Sequence, residues 1–177
     1  CGKFASPFDM EELSENTIVV SSISKSHAAP GFRSGWCIAP AWFIERVLVI
    51  AESILFGGQP FIADMTTYAL NHENETADRM KASYQDRAEL LLNAFSSCAK
   101  LTPLMPAAGM FMLIDVSATG LNGQNFALGL LEHGVAVMPG DVFGQQAEHL
   151  IRISLTVTNE KLAVAAQRMI EFANSNQ

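Results

Sequence analysis

The sequence lacks what would commit it to a membrane, a metal centre or a polyanion. No stretch approaches the roughly 18–20 consecutive apolar residues that a membrane-spanning helix needs. The longest apolar run near a helix, Val47-Leu48-Val49-Ile50-Ala51, is closed off by Arg46 and Glu52. Cysteine is scarce: Cys1, Cys37 and Cys98 are odd in number, far apart and without C-x-x-C spacing. Free thiols in a reducing, cytoplasmic setting are therefore expected, and a zinc site or a disulfide framework is disfavoured. Positive charge is scarce too. Eleven Lys and Arg stand against 18 Asp and Glu, the net charge is −7, and no Lys/Arg cluster forms locally. That balance argues against a nucleic-acid partner. There is also no signal peptide and no initiator Met ahead of Cys1-Gly2-Lys3-Phe4, so the chain is expected to be part of a longer protein.

What is present is apolar and well punctuated. With 177 residues, 49% of them hydrophobic, and a mean hydropathy of +0.20, the chain must bury much of itself. That length suits one ordinary domain, or one domain and a piece of another. Up to residue 16 the pattern is loop or a short amphipathic turn, with Ser6-Pro7 as a turn signal. Thr17-Ile18-Val19-Val20 reads as a buried strand, and residues 34–39 as a second short strand ending at Pro40. Helical spacing then runs from Pro40 to Gly57-Gly58, from Pro60 to about Asn71, and from about Glu75 to Ala99.

From Leu101 onward the character is α+β. Residues 110–116 form an apolar run that reads as a buried strand, and 125–133 read as a helix stopped by Gly134. Residues 135–138 and 149–155 read as strands, the second alternating Ile151, Ile153 and Leu155 with Arg152 and Ser154. Asn159-Glu160 opens a last helix. The expected boundary lies near residue 74.

One stretch concentrates chemistry. Residues 21–36, Ser-Ser-Ile-Ser-Lys-Ser-His-Ala-Ala-Pro-Gly-Phe-Arg-Ser-Gly-Trp, put hydroxyls, Lys25, Arg33 and two glycines directly after a β-branched run. A lysine in a polar loop is most often a solvated charge. Here Ser22 and Arg33 offer groups that grip an oxyanion, with a primary amine between them. For His27 a structural, hydrogen-bonded role is expected.

The pattern Ser-x-Ser-Lys-x-x-x-x-Pro-Gly-x-Arg-x-Gly over 22–35 resembles the cofactor-lysine signature of the fold-type-I pyridoxal-phosphate aminotransferases, the aspartate aminotransferase superfamily. The resemblance implies that Lys25 forms a Schiff base with pyridoxal 5′-phosphate and later shuttles the proton between Cα and C4′. It implies that Ser22 and Arg33, and also Ser24, bind the cofactor phosphate. Three further stretches follow in the family's order. Pro106-Ala107-Ala108-Gly109-Met110-Phe111 is similar to the family's Pro-x-Gly-Gly-x-Phe entry to a strand, with Ala108 in place of a glycine. Residues 132–144 resemble its helix–Gly–strand–Pro-Gly-x-x-Phe-Gly turn. The strand around Arg152 resembles the one whose arginine clamps the substrate α-carboxylate, which makes Arg152 the implied substrate-binding residue.

The departures set limits. Members of the family are typically more than twice this length. They carry, upstream of the lysine, a ring-stacking aromatic residue, an asparagine and an Asp-x-x-Tyr pair, none of which can be placed here. Asp9 is close in sequence but lacks that context. The implied fold is α/β with an α+β small domain: residues 1–74 end the large cofactor domain and 75–177 form the small C-terminal domain. The implied parent is a homodimeric transaminase moving an amino group between an L-amino acid and a 2-oxo acid, with this chain inactive alone. Two other outcomes stay open: a carbon–sulfur lyase of the same fold, and the effector domain of an aminotransferase-like transcription regulator.

Overall fold

A computed structural model describes residues 5–72 and 75–175. The chain divides into two compact units, one up to Arg79 and one from Met80 onward.

The first unit begins with two 3-10 turns, Pro7–Asp9 and Glu11–Asn16. An antiparallel ladder follows, β1 (Val19–Ser22) against β2 (Gly35–Ile38). Between the two strands lies α1 (Ile23–Ser26), a single helical turn, and after them come α2 (Ala41–Leu55) and α3 (Pro60–Asn71). The helix limits fall where the punctuation put them. Pro40 precedes the first turn of α2, Phe56 and Gly57 leave it with positive φ, and Pro60 opens α3.

The expected buried strand over 17–20 needs correction. The strand begins two residues later and is not a core strand, since Val20 is 77% exposed. Two strands and two helices enclose too little volume to cover their own apolar side chains. Ile23 is buried, but no residue of α2 is, and Val49, Ile54, Leu55 and Phe61 face outward.

The second unit has a conventional core. The long helix α4 (Glu75–Phe95) enters it, followed by β3 (Thr102–Leu104), β4 (Phe111–Asp115) and α5 (Gly123–Glu132). β5 (Met138–Pro139), β6 (Leu150–Ser154) and α6 (Asn159–Ser175) complete it. The strands form one antiparallel sheet in the order β3-β4-β6-β5. Period-two alternation sends Met112, Ile114, Ile151 and Ile153 to one face. That face meets Ala88, Leu91 and Phe95 of α4, Phe126 and Leu130 of α5, and Leu162, Ala166 and Met169 of α6 in a single core. Phe111, Leu113, Arg152 and Ser154 are left on the opposite face, each only partly buried.

Other details differ from the sequence pattern as well, and α4 ends at Phe95, short of the expected Ala99. β3 was not anticipated, because Thr102-Pro103-Leu104 carries a proline, which a sheet tolerates at its edge. The expected strand over 135–138 pairs only at Met138 and Pro139, because Val135 is still bonded back to Leu130 at the end of α5. There Gly134 adopts φ 71°, as a helix-terminating glycine does.

Candidate active site

Ladder pairing fixes the ends of the lysine segment. Ser22 pairs with Gly35 as the last rung, so residues 23–34 form one closed connection. Gly35 is required there, since a Cβ would lie 2.8 Å from the Ser21 carbonyl oxygen and 3.2 Å from the Ser22 Cβ. The connection is not the plain loop expected from composition. Its first turn is α1, with buried Ile23 as the anchor and Lys25 exposed beside it.

Ser26 and His27 pin that turn. The Ser26 Oγ lies 3.1 Å from the Ser22 carbonyl and 2.8 Å from His27 Nδ1. His27 Nε2 reaches the Ala69 carbonyl on α3 at 3.1 Å. The far end is tied to the same helix. Thr66 donates its hydroxyl proton to the Ile62 carbonyl at 2.7 Å, so the Ser34 hydroxyl, 2.7 Å away, donates to Thr66. These two contacts were missed in sequence because Ala69 and Thr66 lie in an otherwise ordinary helix.

Ser24, Lys25 and Arg33 thus lie on one short connection with Ser22 at its root on β1, and Arg152 lies in the other unit. Among the described residues, the hydroxyls of Ser22 and Ser24 and the amine of Lys25 form no hydrogen bond or ion pair. Arg33 spends one Nη1 hydrogen on the Pro30 carbonyl at 3.0 Å and forms no other such bond there. The connection also holds two non-glycine residues at positive φ, Ala28 at 50° and Arg33 at 52°. Such backbone costs about 1–3 kcal/mol per residue and clusters at functional sites. Hydroxyl donors, a guanidinium and a primary amine, none neutralised by a protein acceptor apart from the Pro30 bond, suit a phosphorylated aldehyde. The donor set therefore fits the phosphate and aldehyde ends of pyridoxal phosphate.

Arg152 lies on β6, an interior strand of the four-stranded sheet, opposite Leu113 on β4 and Met138 on β5. Its Cζ lies 4.1 Å from the centre of the Phe111 ring and 4.8 Å from that of Phe143. Phe111 begins β4, and Phe143 ends the 3-10 turn Gly140–Phe143 that follows β5. Among the described residues the guanidinium has no hydrogen bond and no carboxylate partner. At the end of the sheet, Asp115 accepts from the Ser117 N–H at 2.8 Å and lies 3.7 Å from His149 Nε2. No group of His, Cys, Asp and Glu among the described residues is arranged to hold a metal ion, and no helix there is long and apolar enough to cross a membrane. Cys37 is exposed, Cys98 is buried, and both are free thiols.

The profile of the aminotransferase class I and II family matches residues 2–169. The arginine–pyruvate transaminase AruH of Pseudomonas aeruginosa is 35% identical over 169 residues, covering 95% of this chain and 43% of that protein. A solved Pyrococcus structure described as protein-A1 superposes with a TM-score of 0.93 at 28% identity, over 98% of this chain and 45% of that one. The aromatic aminotransferase of Pyrococcus horikoshii gives 0.88 at 30% identity, over 94% and 45%. The chain thus spans less than half the length of these relatives. With a match that runs through the lysine connection and on through the sheet that carries Arg152, this chain belongs to the class I and II aminotransferases.

Proposed function

We propose that the full-length protein containing this chain is a pyridoxal-phosphate-dependent aminotransferase, passing an amino group between an L-amino acid and a 2-oxo acid. The observation that carries this is the donor set on residues 22–33, with the side chains of Lys25, Ser22 and Ser24 free of hydrogen-bond and ion-pair partners among the described residues, in a chain of this family. Ser22, Ser24 and Arg33 hold the cofactor phosphate, the arginine through its planar fork. When bound, pyridoxal phosphate supplies the electron sink that makes the substrate Cα–H acidic. Lys25 holds the cofactor aldehyde at rest through its Nζ and afterwards carries the proton away from Cα. Arg152 binds the α-carboxylate, which fixes the substrate relative to that proton transfer.

Residues 1–74 close the cofactor domain and 75–177 form the small domain in this reading. The ring-nitrogen partner and the stacking residue come from the remainder of the protein, so these 177 residues alone are inactive. The whole enzyme works as a homodimer in the cytoplasm. Arginine with pyruvate is the first substrate pair to try, since that is what the name of the 35%-identical relative states.

The experiment is absorbance and turnover of the purified full-length protein. The wild type should show the visible band of bound pyridoxal phosphate and convert an amino acid only when a 2-oxo acid is supplied. Lys25→Ala should abolish both the band and turnover. Release of ammonia and pyruvate without a 2-oxo acid would move the protein to the lyases. Absence of any cofactor band under saturating pyridoxal phosphate would overturn the proposal.

A further inference from the structure

We infer that Phe111 and Phe143 are positioning residues that hold the Arg152 guanidinium between their rings, so that it accepts a planar carboxylate in preference to a tetrahedral oxyanion. This rests on the reading of Arg152 as the carboxylate-binding residue, and extends it to how that arginine selects its anion.

The two rings reach Arg152 from opposite flanks of its strand. Phe111 pairs with Ser154 and lies two residues from Leu113, the partner of Arg152, so it shares the sheet face of the arginine. Phe143 comes from the side of β5, whose Met138 is the other partner of Arg152. Hydrophobic burial does not account for Phe143, because it is 56% exposed. The turn that presents it is tightly specified nonetheless. A Cβ on Gly140 would fall 2.2 Å from the Ala147 carbonyl oxygen, and Gly144 takes φ 131°. What the turn delivers is an aromatic ring to a cation.

The consequence for recognition is geometric. All five guanidinium N–H bonds lie in one plane. With the guanidinium held face-on between the two rings as inferred, its in-plane edge is the open approach. A carboxylate places both oxygens in that plane and takes two parallel hydrogen bonds. A sulfonate or phosphonate must put a third oxygen out of plane, against the electron-rich face of a ring. The same contacts restrict the long side chain before the ligand arrives, which lowers the ordering cost of binding.

The test uses the full-length protein with its arginines 15N-labelled. The Arg152 Nε–H resonance, assigned by its loss in Arg152→Lys, is titrated with propionate and with ethanesulfonate. The wild type should favour propionate by about tenfold or more, the advantage of a bidentate over a single contact. Phe143→Leu should weaken propionate by about five- to tenfold, the loss of one cation–π flank, and bring the two affinities close together. Phe143→Tyr should restore both the affinity and the preference, and Phe111→Leu, checked for native melting, should behave like Phe143→Leu. A folded Phe143→Leu with an unchanged preference, in a protein whose Arg152 still binds propionate, overturns the inference alone. An Arg152 resonance that does not respond to propionate at all overturns the carboxylate reading, and the inference with it.

Discussion

Two residues that the sequence left unremarkable, Asp115 and His149, show how local bonding sets a charge. Burial pushes the Asp115 carboxyl up, but hydrogen bonds from the Ser117 hydroxyl and N–H, together with His149, outweigh it, and the net effect is a value below the ordinary 3.8. Since the folded value is the lower one, Asp115 contributes stability above the unfolded value. That contribution disappears as pH falls through the depressed folded value. Asp115→Asn should therefore lower the urea midpoint at neutral pH, by an amount worth less than about 1 kcal/mol for so accessible a pair. The difference from wild type should shrink steadily as the solution is taken below pH 3.8. A difference that persists in acid would show that the side-chain charge is not its source. At this scale the sequence showed Lys25, Arg33 and Arg152 through their motifs. Phe111 and Phe143 stood inside quoted motifs without a visible purpose, because their common partner lies on a third segment of the chain.

Among the elements, the contact of α5 with α6 is the most demanding. Gly129 lies within α5, where glycine costs about 1 kcal/mol relative to alanine on propensity alone. It is nevertheless required, since a Cβ there would lie 2.2 Å from Cζ of Phe172 on α6. Phe172 has little freedom to move aside, with Phe126 5.1 Å away and His133 4.9 Å away, ring centre to ring centre. Overpacking of this kind costs about 1–3 kcal/mol, so packing outweighs propensity. Gly129→Ala should lower the melting temperature, and Phe172→Leu made in the same chain should recover part of the loss. An increase in stability on Gly129→Ala would mean that the helix gain dominates. Sequence periodicity found α5 and α6 but gave no reason for this glycine, because the clash is between residues more than 40 positions apart.

Across the whole molecule, the buried core belongs to the second unit. Its large buried side chains, Phe95, Phe126, Leu130 and Met169 among them, are gathered in one cluster, whereas Ile23 is the only large hydrophobic buried among the described residues of the first unit. Residues 80–177 expressed alone should therefore unfold cooperatively in urea, and limited proteolysis of the intact chain should leave a resistant product within that region. Loss of the second unit before the first under the protease would contradict this assignment. The outward apolar side chains of α2 and α3 in the first unit should make the isolated chain self-associate, which sedimentation at rising concentration would detect.

The sequence by itself determined what is local. Helix limits follow from Pro40, Pro60 and Gly134, strand faces from the alternation around Ile151 and Ile153, and the lysine connection from its run of hydroxyls, amine and guanidinium. Tertiary structure alone decided which of these meet. It moved the first strand forward and left it exposed, since a strand is buried only when other elements cover it. It turned the lysine loop into a helical turn pinned to α3 through Ala69 and Thr66. It also set two phenylalanines from separate turns against one arginine, a convergence of distant segments that no local pattern encodes.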